Sequence, residues 1–144
     1  MNPWTLPKLL VLPLLAVVSP LVAAGELADT LVAKQLGVSS VNHSTTTNSR
    51  RGMTYSDVHY KDGDGRELFV LRLGTPDQFN LWRQAMGTES TPVSGVGSEA
   101  FQVRTFRAVC AKSVTAAVCV TPGMVNKGVP LSDQQIQALV AAAL

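Results

Sequence analysis

The chain has 144 residues, with 12 Lys and Arg against 10 Asp and Glu, a formal net charge of +2 and 46% apolar residues. This length and composition fit one globular domain and exclude a disordered chain, a collagen and a dense disulfide scaffold. The small positive charge is not gathered in a basic run, which argues against nucleic acid as a partner.

The first 24 residues have the pattern of a secretory signal peptide. A short basic start precedes an apolar stretch over residues 9–18. The small residues Val22 and Ala24 lie at positions −3 and −1 of the cleavage site, where a signal peptidase requires small side chains. An uncleaved anchor would need about 20 continuous apolar residues, and two prolines interrupt a shorter run here. We therefore predict cleavage after Ala24 and a single exported domain over residues 25–144, periplasmic or secreted, with no membrane span.

Cys110 and Cys119 are the whole cysteine content of the chain. In an exported protein two thiols most simply form a disulfide. They lie on two apolar runs around a turn at residues 113–116, so a hairpin would place one cysteine opposite the other. Directly opposed residues in a non-hydrogen-bonded pair have Cα atoms about 4.5 Å apart, within disulfide range. The same pairing predicts a core-facing side made of Val109, Ala111, Val118 and Val120.

Three segments carry helix signals. Residues 26–36 place apolar side chains at helical spacing, and Gly37 supplies a left-handed stop. The second and third helices each begin with a capping box, formed by Thr75 with Gln78 and by Ser132 with Gln135. Gly87 ends the second helix, whose apolar stripe includes Trp82.

Strands are predicted at residues 53–60 and 67–73, around 101–105, and on both sides of the cysteine turn. The apolar phase of the first strand switches between Tyr55 and Val58, which suggests a bulge. Residues 39–51 are polar and form either a mobile loop or an edge strand. The order α-β-β-α-β-β-β-α predicts an α+β fold with a mostly antiparallel sheet and helices packed on one face.

The run Gly95-Val-Gly-Ser-Glu-Ala-Phe101 resembles a Gly-Val-Gly-Asp-Glu-Ala-aromatic turn of small exported bacterial α+β domains, which are largely uncharacterised and often lipoproteins. The helix that ends at Leu36-Gly37 and the closing helix also fit that class. Many such domains place a cysteine where this chain has Met53, and the cysteine that bears the lipid is missing. The resemblance therefore implies an exported α+β architecture but transfers neither anchoring, a disulfide pattern nor an activity.

The motifs that could carry chemistry are weak. Residues 95–100 match G-x-G-x-x-A, but they follow a turn and open a strand, so we predict no dinucleotide or other cofactor. Asp57 and His59 share one strand face and are weak candidates for a divalent ion, although the adjacent Asp-Gly-Asp-Gly at 62–65 is also what a hairpin turn requires. We predict no metal site and no catalytic residue, because nucleophile motifs are absent from the sequence.

The preferred function is recognition of a protein partner, as an inhibitor or immunity-type module. The expected contact residues lie on strand edges and on the loops around Arg50, Arg51 and Phe106, with Arg104 and Arg107 beside the aromatic ring. For Phe106 itself, burial tendency favours the alternative of a residue packed at a strand edge. The alternative is a carrier of a small apolar ligand, with its pocket between the sheet and the helix of Trp82. A hydrolase that uses His59 is a third hypothesis. The oligomeric state and the identity of a partner stay open.

Overall fold

The computed structural model describes residues 25–144, and the predicted signal peptide lies outside the described residues. The helices of this part are α1 (Asp29–Leu36), α2 (Pro76–Met86) and α3 (Asp133–Ala143). Its strands are β1 (Val41–Arg50), β2 (Met53–Asp62), β3 (Glu67–Gly74), β4 (Ser90–Val93), β5 (Glu99–Val103), β6 (Val109–Lys112) and β7 (Ala117–Pro122).

All seven of these strands form one antiparallel sheet in the order β1-β2-β3-β7-β6-β5-β4. The α+β class and the antiparallel sheet are confirmed, but the predicted element order lacks β1 and β4. Of the two alternatives for residues 39–51, the edge strand is correct. Because β1 is polar on both faces, it shows no alternation in the sequence. The four-residue β4 contains Pro92, a residue that is typical of sheet edges.

The prediction that all helices share one face of the sheet is wrong for α2. Helices α1 and α3 cover the face that carries Val109 and Val118, whereas α2 packs through Phe79 on Phe101 of the other face. The reason lies in β6 and β7, whose alternate residues are buried on both faces. Helix α3 covers the apolar side chains on one face of these strands and α2 covers those on the other, so the helices lie on both faces of the sheet.

The local signals for helix ends are confirmed, whereas the predicted bulge is misplaced. Both capping boxes form, and Gly37 adopts a φ of 66° at the end of α1. The β1–β2 register is unbroken, and the irregularity lies between Tyr60 and Lys61, where β2 meets β3. The apolar phase of β2 switches because its two apolar side chains lie on different faces of the sheet. Tyr55 packs below the guanidinium of Arg72 on the face of α2, whereas Val58 belongs to the core on the face of α1 and α3.

The cysteine hairpin forms with the predicted register. Cys110 lies opposite Cys119, the two are joined by a disulfide, and their Cα atoms are 4.0 Å apart. The backbone N–H of Ser113 donates to the carbonyl of Ala116 and closes the turn. The four residues predicted to face the core, Val109, Ala111, Val118 and Val120, are fully buried.

Over residues 25–144, none of the helices is long and apolar enough to cross a membrane.

Candidate functional site

A groove runs along the flank of α2, where the helix leaves the neighbouring strands β2 and β3 uncovered. Its volume is about 270 Å³. The helix wall carries Trp82 and Met86, and the disulfide with Phe101 lies at the floor. We call this feature the Trp82 groove. The full set of lining residues is Asp57, Val70, Arg72, Trp82, Ala85, Met86, Phe101, Val103, Phe106, Ala108, Cys110, Cys119 and Thr121.

Trp82 is held in place by the anchoring of α2 on the sheet. The buried side chain of Gln78 donates from Nε2 to the carbonyl of Thr54 on β2, at 2.8 Å. Gly74 lies under the indole ring, where a Cβ atom would come within 2.8 Å of Trp82 Cη2. Arg83 forms an ion pair with Glu99 of β5. The helix is therefore tied to two strands, β2 and β5, on one face of the sheet, and the absence of a side chain at Gly74 lets the indole approach closely.

Phe106 forms the rim of the groove and is 49% exposed. The turn that carries it is fixed on both sides. The backbone N–H of Arg104 donates to the Glu89 carbonyl at 2.9 Å, and the Thr105 hydroxyl donates to the Glu89 carboxylate at 2.8 Å. Arg107, with a φ of 57°, donates to the Asp133 carboxylate at 2.6 Å. An exposed ring on a fixed turn loses little conformational entropy on binding, because the backbone is already ordered.

An ion pair forms the wall of the groove opposite α2. Nε and Nη2 of Arg72 donate to the two carboxylate oxygens of Asp57 at 2.8 and 3.0 Å, and the guanidinium carbon lies 4.3 Å from the Tyr55 ring centroid. The hydrogen bonds to Asp57 raise the pKa of Arg72 above its ordinary value. Both charges are thus satisfied internally, and the groove offers mainly apolar surface.

The structure separates the five residues predicted to contact a partner. Only Phe106 lines the Trp82 groove. Arg50 and Arg51 lie at the β1–β2 turn, where Arg51 adopts a φ of 51°. Arg104 and Arg107 donate to Thr88 and Asp133 and so support the turn of Phe106.

The weak metal candidates, Asp57 and His59, each have another side-chain partner. Asp57 binds Arg72, and Nδ1 of His59 lies 2.8 Å from a Glu67 carboxylate oxygen. Over residues 25–144 there is no group of three or more His, Cys, Asp or Glu that could hold a metal ion. Ser44 is the cross-strand neighbour of His59, yet the described residues show no hydrogen bond between its hydroxyl and the ring.

A second polar cluster was not predicted from the sequence. His43 binds Asp29 through Nδ1 at 2.6 Å and lies 3.4 Å from Glu26 through Nε2, although its polar neighbours predict a solvated side chain. The hydrogen bond with Asp29 is the main cause that raises the pKa of His43. Beneath it, the Tyr60 hydroxyl accepts from the Leu27 N–H. The paired residues are separated by 14 and 33 positions in the chain, so no local sequence pattern predicts that they meet. Their contacts become visible only in the folded structure.

Comparisons with protein-family models, with curated proteins and with solved structures found no match for this chain.

Proposed function

We propose that this protein is an exported binding module that recognises a protein partner, and that the Trp82 groove receives an apolar side chain of that partner. The observation that carries this proposal is the shape of the groove. Its volume is about 270 Å³ and it is open along one side. Small-molecule pockets usually measure ~300–1,000 Å³ and enclose most of their ligand. Because its volume lies at the lower edge of that range and the rim residue Phe106 is 49% exposed, we infer that the groove receives one anchoring side chain of a larger molecule.

The chemistry of the groove defines the anchor. Trp82, Phe101 and Phe106 supply aromatic surface, and the two charges on the wall are already paired. An aromatic or aliphatic side chain would bury apolar area there without leaving a charge unpaired. Interfaces draw most of their binding energy from a few such anchors in desolvated pockets. The fixed turn of Phe106 and the disulfide at the floor fit an inhibitor or immunity-type module, which binds as a rigid body.

Site-specific photocrosslinking in the native host tests the proposal. We expect a benzophenone amino acid at position 106 to crosslink one protein at high yield. Val114 is 92% exposed, the most accessible of the large apolar side chains over residues 25–144, and lies at the tip of the cysteine hairpin, which makes it the matched control position. Position 114 should give no crosslink to the same protein. Equal yields from both positions would show that the contact is not made through the groove.

Binding measurements with the purified crosslinked protein complete the test. Hot-spot truncations cost about 2 kcal/mol or more, which is roughly a 30-fold loss of affinity. We expect that loss for Phe106→Ala and no change for Val114→Ala. The proposal fails if Phe106→Ala binds as tightly as the wild type.

A carrier of a small apolar ligand is the second candidate, favoured by the apolar lining between the sheet and the Trp82 helix. Native mass spectrometry of protein isolated from its host distinguishes the two. A carrier should retain a small molecule that a Met86→Trp variant, with its larger side chain on the groove wall, releases. A partner-binding module should show the mass of the polypeptide alone.

Export is part of the proposal. The disulfide between Cys110 and Cys119 fits an oxidising compartment, periplasm or medium, and the first 24 residues have the signal-peptide pattern. Intact-mass analysis of protein from the native host should give a chain that begins at Gly25 with both sulfurs oxidised. A full-length chain with free thiols would contradict export.

A further inference from the structure

The two edges of the sheet differ in how they are protected against pairing. The edge strand β4 has four residues and includes Pro92, which cannot donate to another strand. The other edge strand, β1, has ten residues and carries no proline, no lysine and no break in its register with β2. Long edges without such features readily pair with another strand.

The turn at the end of β1 determines which of its backbone groups are free. Arg51 and Gly52 both have positive φ, so Arg50 and Met53 close a two-residue type I′ hairpin and are hydrogen-bonded to each other. Because bonded pairs alternate along an antiparallel ladder, the even-numbered residues of β1 bond to β2. The residues whose N–H and C=O point away from the sheet are Val41, His43, Thr45, Thr47 and Ser49.

We propose that β1 pairs antiparallel with β1 of a second copy of this chain, about a two-fold axis at Thr46, so that the two sheets become one. In this register Thr46 faces its own copy, Ser44 faces Asn48 and Asn42 faces Arg50. Each pair consists of side chains that can hydrogen-bond, and no two like charges lie opposite each other. The outward groups of residues 43, 45, 47 and 49 bond across the interface.

The elements above the strand allow this arrangement. Helix α1 and its following loop lead into the start of β1 at Val41. The two-fold axis places the second α1 at the opposite end of the paired strands. Asp29, the first residue of α1, binds His43, and the two copies of His43 lie six residues apart along the ladder, about 20 Å at the rise of an extended strand. The two helices therefore do not compete for the same space.

The same geometry selects Thr46 over Thr45 as the centre. Glu26 accepts a hydrogen bond from the Thr45 hydroxyl and lies 3.4 Å from His43. Glu26 thus lies level with residue 44, so an axis at Thr45 would place the two Glu26 carboxylates only two residues apart along the ladder, about 7 Å. An axis at Thr46 separates them by about four residues, roughly 13 Å, which exceeds the screening length of ~8–10 Å at physiological salt.

Cysteine crosslinking tests the pairing and its register. The Thr46→Cys variant should form an intermolecular disulfide, since facing residues in a non-hydrogen-bonded pair have Cα atoms about 4.5 Å apart. The Thr45→Cys variant is the control, because its thiol would face Thr47. We expect a covalent dimer on mild oxidation of the first variant and a monomer for the second. A crosslink in Thr45→Cys with none in Thr46→Cys, or equal crosslinking in both, would overturn the proposal.

Sedimentation velocity of the purified protein provides an independent readout without added cysteines. The wild type should reach twice the monomer mass as its concentration rises. Thr46→Lys places two like charges opposite each other and should abolish the dimer, whereas Thr91→Lys, on the exposed edge strand β4, should retain it. A wild type that stays monomeric, or equal loss in both variants, would refute the proposal. The Trp82 groove contains no residue of β1, so failure here leaves the proposed partner site untouched.

Discussion

Removal of the Tyr60 hydroxyl should destabilise the protein more than any other loss of a single oxygen atom that the described contacts suggest. The hydroxyl donates to the Leu27 carbonyl at 2.9 Å and accepts from the Leu27 N–H at 2.6 Å, across 33 residues. Burial raises the pKa of Tyr60 to about 12, so the hydroxyl keeps its proton at neutral pH. Tyr60→Phe preserves the stacking on Phe69, whose ring centroid is 4.5 Å away, and leaves both backbone groups of Leu27 without their partner.

The expected loss follows from the number of groups left unpaired. An unsatisfied buried donor or acceptor costs about 1–3 kcal/mol, and Leu27 is only 5% exposed. Two such groups give a loss of about 2–6 kcal/mol in the free energy of unfolding. With a urea m-value of about 2 kcal/mol/M, the midpoint should fall by about 1–3 M.

Urea denaturation followed by circular dichroism measures this loss, with Tyr55→Phe as the control. The Tyr55 ring lies on the other face of β2, below the Arg72 guanidinium. Removing the Tyr55 hydroxyl should therefore change the urea midpoint little. Hydrogen exchange at the Leu27 amide gives a local readout, since that N–H loses its acceptor. If Tyr60→Phe loses less than about 0.5 kcal/mol and the Leu27 amide stays protected, the two hydrogen bonds do not hold this segment to the sheet.

Three further outcomes are expected. The Cys110→Ala/Cys119→Ala double variant should lose about 2.7 kcal/mol, the chain-entropy value for a loop of about ten residues, and an unchanged urea midpoint would contradict a structural role for the disulfide. The pKa of His43 is raised in the fold above its ordinary value of 6.5, so protonated His43 stabilises the fold fully below pH 6.5 and loses this contribution as the pH rises through the folded pKa. The difference in the free energy of unfolding between the wild type and His43→Asn should therefore shrink above neutral pH. Gly74→Ala should displace Gln78, whose Oε1 is the atom nearest to the new Cβ, and Trp82, whose Cη2 would lie 2.8 Å from it; an unshifted tryptophan emission spectrum would contradict the contact with Trp82.

Local chemistry made much of the fold predictable. The capping boxes at Thr75 and Ser132 depend on side chains three residues from their partners, and both form. The cysteine hairpin depends on a turn and on alternation over a few residues, and its register is also confirmed. The distribution of the helices was not predictable from these signals. It depends on which sides of β6 and β7 are buried, and alternation alone does not show that both are.

The groove was less predictable than the fold because its residues come from separate elements. The sequence shows Phe106 between two arginines, a pattern that fits an exposed anchor but is more typical of a packed strand edge; the structure leaves the ring 49% exposed at the rim of the site. Arg72 and Asp57 are 15 residues apart and meet only because β2 and β3 pair in this register. Trp82 is visible in the sequence as part of an apolar helix stripe, and the carrier alternative places a pocket between this helix and the sheet. The stripe itself predicts core packing and does not show which strands form the other wall of such a pocket.

The disulfide connects stability with the proposed recognition surface. Cys110 and Cys119 lie at the floor of the Trp82 groove and belong to the same apolar cluster as Phe79 of α2. Cys110 is also three residues from the turn that ends at Arg107 and carries Phe106. A bond that fixes β6 to β7 thus fixes the floor of the groove and one support of its rim. Reduction should therefore weaken binding at the groove as well as stability, and the two losses should appear together in the same titration with reductant.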